Sequence, residues 1–207
     1  MRAVVYVDGF NLYYGCLRRT PYKWLDLIQM SQLLLPKHQV VGVKYYTAHI
    51  SPSPGNTDNA ARQLTYLRAL RTLPNVEIIL GHFLANRAHM VLASSPPQQP
   101  RYVEVIRTEE KGSDVNLAVH LVHDGHRGAY DLAVVVSNDS DLAEAVRIVR
   151  RDLGLPVGIL CPCRQPSVVL KRDATFVKPI RTGVLAVSQF PQSLRDANGK
   201  FTRPTAW

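Results

Sequence analysis

The stretch Asp131-Leu132-Ala133-Val134-Val135-Val136-Ser137-Asn138-Asp139-Ser140-Asp141 joins a β-branched apolar run directly to an acidic turn of small residues. A short continuous apolar run bounded by turn residues is the pattern of a strand buried on both faces. Working outward, a helical pattern over 141–152 ends at Gly154, and a further strand pattern covers 156–161. Upstream, Val115, Ala118, Val119 and Val122 predict a helix over 113–124, with Gly125 as its stop. The N-terminal half repeats the alternation. Strands are expected over 2–8, 39–50 and 75–84, with an extra one over 101–107 and a last short one over 175–180. A helix or turn is expected over 9–19. The Ser51–Asn56 breaker cluster precedes a helix over 58–72 that Thr57 is placed to N-cap. Residues 85–100 read as a loop suited to a substrate-facing flap. This βαβα rhythm predicts a three-layer α/β/α fold around a mostly parallel, Rossmann-like sheet.

Such sheets place ligands at the carboxyl ends of their strands. Asp8 ends the first strand, Asp139 and Asp141 follow the 131–137 strand, and Asp114 opens the next helix back. Brought together, these carboxylates repel. Two unit charges ~4 Å apart cost about 4 kcal/mol at an effective dielectric of 20. The cluster calls for a divalent cation or for raised pKa values. Oxygen-only ligands suit Mg²⁺ or Mn²⁺ rather than Zn²⁺. Beside a basic surface, that chemistry points to phosphodiester hydrolysis. Each acid also has a plain structural alternative. Asp141 can cap a helix, Asp114 can complement a helix dipole, and Asp8-Gly9 can be a turn.

The chain has 207 residues, with 25 Lys+Arg against 16 Asp+Glu, a formal charge of +9. The excess favours a polyanionic partner, since Lys and Arg release counterions condensed on phosphates. No apolar run reaches the ~18 residues that span a bilayer. Met1–Asp8 lacks the pattern of a secretory leader. Three cysteines make no disulfide framework, so a reducing cytoplasm is expected. Length suggests one domain over 1–182, with 183–207 a basic, loosely ordered tail or peripheral extension broken by Pro191, Gly199 and Pro204.

Three motifs then stand in order. Val7-Asp8-Gly9-Phe10-Asn11-Leu12, Lys111-Gly112-Ser113-Asp114-Val115-Asn116-Leu117-Ala118 and Ser137-Asn138-Asp139-Ser140-Asp141-Leu142 together resemble the NYN domain, the branch of the PIN-like nuclease superfamily that includes LabA-like proteins. The resemblance spans about residues 1–180. It implies a PIN-like fold and a Mg²⁺- or Mn²⁺-dependent endoribonuclease acting on single-stranded RNA. Asp8, Asp114, Asp139 and Asp141 would form the catalytic acidic metal site. By the same resemblance Asn11, Lys111, Ser137, Asn138 and Ser140 fall on the substrate side, with Glu110 a weaker candidate for the acids. The chain departs from the family pattern at Asn138, for the usual Gly, and at Leu142, for Phe. His120 stands where many relatives carry an Asp.

Arg18 and Arg19, with Lys23, follow the first acidic motif and interleave with Tyr13, Tyr14, Tyr22 and Trp24. Aromatic stacking combined with phosphate pairing is how single strands are gripped without sequence reading. Arg62, Arg68 and Arg71 share the 58–72 helix, and Arg147, Arg150 and Arg151 the 141–152 helix. His120, His123 and His126 recur every third residue but are expected to leave the helix at Gly125. Cys161-Pro162-Cys163 lacks zinc-knuckle spacing. Two other function classes stay open: a non-catalytic RNA-binding or regulatory module, and a phosphatase or nucleotide-processing enzyme. So do a homo-oligomer and a regulatory protein partner.

Overall fold

A computed structural model describes residues 1–50, 58–94, 101–205 and 207. The chain runs β1 (Arg2–Asp8), α1 (Gly9–Leu12) with a π-helical turn (Tyr13–Leu17), α2 (Leu27–Leu34), β2 (Gln39–Ala48), α3 (Asp58–Leu70), β3 (Val76–Val91) and β4 (Tyr102–Lys111). It continues through α4 (Ser113–His126), β5 (Leu132–Val136), a 3-10 turn (Ser140–Leu142), α5 (Ala143–Arg147), a second π-helical turn (Ile148–Asp152) and β6 (Val157–Cys161). The last elements are α6 (Val168–Asp173), β7 (Phe176–Pro179), α7 (Thr182–Val187), β8 (Ser193–Asp196) and β9 (Gly199–Thr202).

Seven strands form one sheet in the order β4-β3-β2-β1-β5-β6-β7, parallel except for β4 at the edge. The predicted α/β/α architecture is therefore present. From β1 the chain winds outward to β2 and β3, and from β5 to β6 and β7, so the winding direction reverses between β1 and β5. The register there pairs Val7 with Val136, which puts the carboxyl ends of both central strands side by side. Along β1 the side chains alternate between two cores. Ala3, Val5 and Val7 join α1, α2, α3 and α7 on one face, while Val4 and Tyr6 join α4, α5 and α6 on the other.

Several expectations need correction. Residues 85–91 are strand rather than loop: β3 continues past His82 in an antiparallel arm that pairs with β4 from His82↔Lys111 to Val91↔Tyr102. Residues 85–91 are almost all exposed and carry no hydrophobic alternation to read, while β4 opposite them falls on the strand expected over 101–107. Only Ser95–Pro100 of the expected flap, with Ser51–Thr57 and its expected cap, lies outside the described residues. Gly125 does not stop α4. A Cβ there would lie 2.6 Å from the Tyr130 hydroxyl and 2.9 Å from a Leu153 methyl, so the glycine admits a neighbour. The chain turns instead at Gly128, whose φ of +64° favours glycine. Two helices, α2 and α6, had no clear sequence signature.

The segment expected as a loosely ordered tail is folded. It forms α7 and the β8–β9 hairpin, and it buries Leu185, Phe190 and Phe201. Trp24, fully buried, is ringed by Phe190, Phe201, Trp207 and Tyr66 at centroid distances of 5.6, 6.4, 6.2 and 6.4 Å. Arg68 of α3 clamps Asp196 with two hydrogen bonds of 2.7 Å and lies 4.1 Å above the Phe201 ring. Isolated aromatics between Pro and Gly give no periodic signal, which is why composition alone made this stretch look loose.

Candidate active site

The reversal between β1 and β5 assembles the acids. Asp8 is buried at the end of β1, and each of its carboxylate oxygens has a donor. The Asn11 backbone N–H donates to Oδ1 at 2.9 Å, and the Ser137 hydroxyl donates to Oδ2 at 2.9 Å. Burial pushes the Asp8 carboxyl above the usual range; the two hydrogen bonds pull it down, and the Asp139 charge pushes it up again. Gly9 makes this strand end possible. A Cβ on it would stand 2.7 Å from both the Tyr46 carbonyl oxygen and the Tyr45 ring.

Asp139 follows β5 in extended conformation and caps the 3-10 turn, its Oδ1 accepting from the Asp141 N–H at 3.0 Å. The helix-cap alternative raised for Asp141 thus falls on Asp139, whose other oxygen is free of this bond. Asp114 stands in the first turn of α4, half-buried. Burial pushes its carboxyl up to about 6, and the charges of Asp8, Asp139, Glu110 and Asp141 add to that. Five carboxylates therefore share one electrostatic neighbourhood. Glu110 Oε1 also accepts from the Ser113 N–H at 3.1 Å and the Ser113 hydroxyl at 2.7 Å, which pins the start of α4 to the end of β4.

The polar motif residues divide by role. The Asn11 side-chain oxygen accepts from the Asn138 backbone N–H at 2.9 Å. The Asn138 side chain is occupied too: its oxygen accepts from the Ser167 N–H at 2.6 Å and the Cys161 thiol at 3.4 Å, and its amide donates to the Gln165 carbonyl at 3.1 Å. Ser137 is fully buried between Asp8 and the Asp139 N–H, from which its oxygen accepts at 3.0 Å. These three hold the acidic loop in place, a duty that sequence spacing does not reveal. Ser140 is exposed on the turn. Lys111 is exposed and pairs with Glu109 at 3.1 Å. Arg18 and Arg19 are exposed beyond the first π-helical turn, with Arg18 5.4 Å above the Tyr14 ring.

His120 sits on α4 with its Nδ1 3.1 Å from the Tyr46 hydroxyl, and His123 and His126 are exposed further along the same helix. Cys16, Cys161 and Cys163 carry free thiols. Among the described residues no group of three or more His, Cys, Asp or Glu side chains is arranged to hold a metal ion. The Asp8, Asp114, Asp139 and Asp141 set is all oxygen and fits Mg²⁺ or Mn²⁺ in donor chemistry.

A doubly wound sheet with carboxylates at its reversal point is the arrangement expected of a PIN-like α/β protein. The chain belongs to the NYN family: the NYN domain profile matches residues 2–181. Membership places it in a superfamily whose members are typically nucleases and so, at the coarse level, among hydrolases. A curated relative, 6-hydroxy-3-succinoylpyridine 3-monooxygenase HspA from Pseudomonas putida (strain DSM 28022 / S16), is 32% identical over 236 aligned positions covering 100% of this chain and 75% of its own length. A crystal structure of a protein of unknown function from Vibrio parahaemolyticus RIMD 2210633 superposes with a TM-score of 0.57 at 19% identity, covering 87% of this chain and 93% of that one. Among the described residues no helix is long and apolar enough to cross a membrane.

Proposed function

We propose that this chain hydrolyses phosphodiester bonds of single-stranded RNA at the cleft between β1 and β5, with Mg²⁺ or Mn²⁺ held by Asp8, Asp114, Asp139 and Asp141. The observation that carries the reading is the shared field of five carboxylates, strong enough to help push Asp114 up to about 6. A bound divalent cation supplies charge neutralisation at the phosphate and a lowered pKa for water. Asp8, fixed by Asn11 and Ser137, offers a carboxylate whose orientation is set before any ligand arrives. Asp139 and Asp141 lie on a turn held by the Asn11–Asn138 bond. In this reading Arg18 and Arg19 pair with phosphates and Tyr14, with Arg18 5.4 Å above its ring, stacks on a base. The test is cleavage of RNA and DNA oligonucleotides in Mg²⁺, Mn²⁺ and chelator. Asp139→Asn is expected to abolish divalent-dependent RNA cleavage in a protein that keeps its melting temperature. Equal cleavage in excess chelator sinks the reading.

A second reading follows the Pseudomonas putida relative: oxygenation of a hydroxypyridine. It is favoured by one feature, a cavity of about 310 Å³ lined by tyrosines beside Gly9 and Phe10. That reaction consumes dioxygen and a two-electron donor. Substrate-dependent dioxygen uptake on 6-hydroxypyridines supports it, and uptake equal to that of a buffer control removes it.

A further inference from the structure

The cavity beside α1 adjoins the carboxyl end of β1, but none of the five carboxylates lines it, and its chemistry differs. It lies between the first π-helical turn, the carboxyl end of β2 and α3, and holds about 310 Å³, within the size range of small-molecule sites. Tyr14, Tyr66 and Trp207 line it, so it presents flat apolar surface. Its wall is already formed. The Gln63 oxygen accepts from the Ile50 N–H at 3.0 Å, and the Gln63 amide donates to the Ala48 carbonyl at 2.8 Å.

The same cavity is lined by Arg18, Lys23 and Arg62. Lys23 donates to the Thr20 carbonyl at 2.8 Å and has no carboxylate within ion-pair range among the described residues. Residues 51–57 and 95–100 carry no Asp or Glu in their sequence. Arg62 reaches one carboxylate, Asp58, at 4.0 Å, and that side chain is 83% exposed. Burial holds Lys23 below the usual lysine range, and the charges of Arg203 and Arg62 add to that. Lys23 is partly desolvated without a paired carboxylate, and Arg62 has only the exposed Asp58 beside it, so an anion entering the cavity would meet two under-compensated cations.

We infer that this cavity binds a planar aromatic ring bearing an anionic group, the ring between Tyr14 and Trp207 and the anion on Lys23 and Arg62. The anion is a carboxylate on a small aromatic acid or the phosphate of a nucleoside monophosphate; both present the same chemistry. This deepens the second reading, whose cavity it shares, and draws on none of the carboxylates of the first.

Titration calorimetry of the full chain tests it with benzoate, 2-naphthoate, uridine 5′-monophosphate, benzamide and acetate. The expected result is saturable binding of the aromatic carboxylates or of the mononucleotide, whichever source is right. Benzamide and acetate should bind at least about tenfold more weakly. Lys23→Gln and Arg62→Gln should each weaken binding about tenfold. Tyr14→Ala, at a side chain exposed enough to spare the fold, should weaken it as well. Asp139→Asn should leave it unchanged, which separates this site from the acidic cleft. Benzamide binding as tightly as benzoate, or no binding by any aromatic anion, overturns the inference.

Discussion

Asp114 is the residue at which local geometry becomes measurable. Its carboxyl is pushed to about 6 in the folded chain, against about 3.9 for a solvated aspartate. Between those values the folded state binds a proton that the unfolded state has released, so stability falls as pH rises through that window. Asp114→Asn removes the penalty. In chelator, the variant should melt higher than the parent above pH 6 and match it near pH 4, by about 1 kcal/mol once solvent screening is discounted. Thermal denaturation at the two pH values checks this, and a variant less stable at high pH than the parent contradicts it. Ser137 tests the other half of the site. Ser137→Ala removes the donor to Asp8 and the acceptor for the Asp139 N–H. It should cost about 1–3 kcal/mol in urea denaturation, since a partly buried N–H and a buried carboxylate both lose a partner.

At the scale of elements, the strands that position the acids were legible because burial on both faces leaves an unbroken apolar run, as in β1 and β5. The acids were legible because they sit at the ends of those runs. The roles of Asn11 and Asn138 were not, since their bonds close between residues 127 positions apart and leave no local pattern. The extension of β3 over 85–91 was missed because an exposed antiparallel strand needs no alternation, whereas its partner β4 was expected over 101–107. Gly125 was misjudged for a related reason: a helix stop and a close approach look alike in sequence. An unconstrained helix position and a close approach predict opposite signs for Gly125→Ala. As a mere helix residue it would gain about 1 kcal/mol. Against the Tyr130 hydroxyl and Leu153 it should lose about 1–3 kcal/mol. Chemical denaturation decides which.

Across the whole molecule, the C-terminal hairpin and the Trp24 cluster close one core, and Arg68 fastens the hairpin to α3. Phe201→Ala should cost about 3 kcal/mol and loosen Trp24, seen as a red shift in its fluorescence at a lower melting temperature. Arg2, Arg68, Arg147 and Arg151 are paired with carboxylates, while Arg18 and Lys23, which line the cavity beside α1, have none in ion-pair range among the described residues. The central claim is that the carboxylates gathered at the β1–β5 reversal act as one divalent-cation site. Calorimetric titration of Mn²⁺ into the chelator-treated protein at pH 5 and at pH 7.5 tests it directly. Saturable binding that tightens across that interval, and is lost in Asp8→Asn and Asp139→Asn while the fold persists, is the predicted result; no binding, or binding that both variants keep, contradicts it.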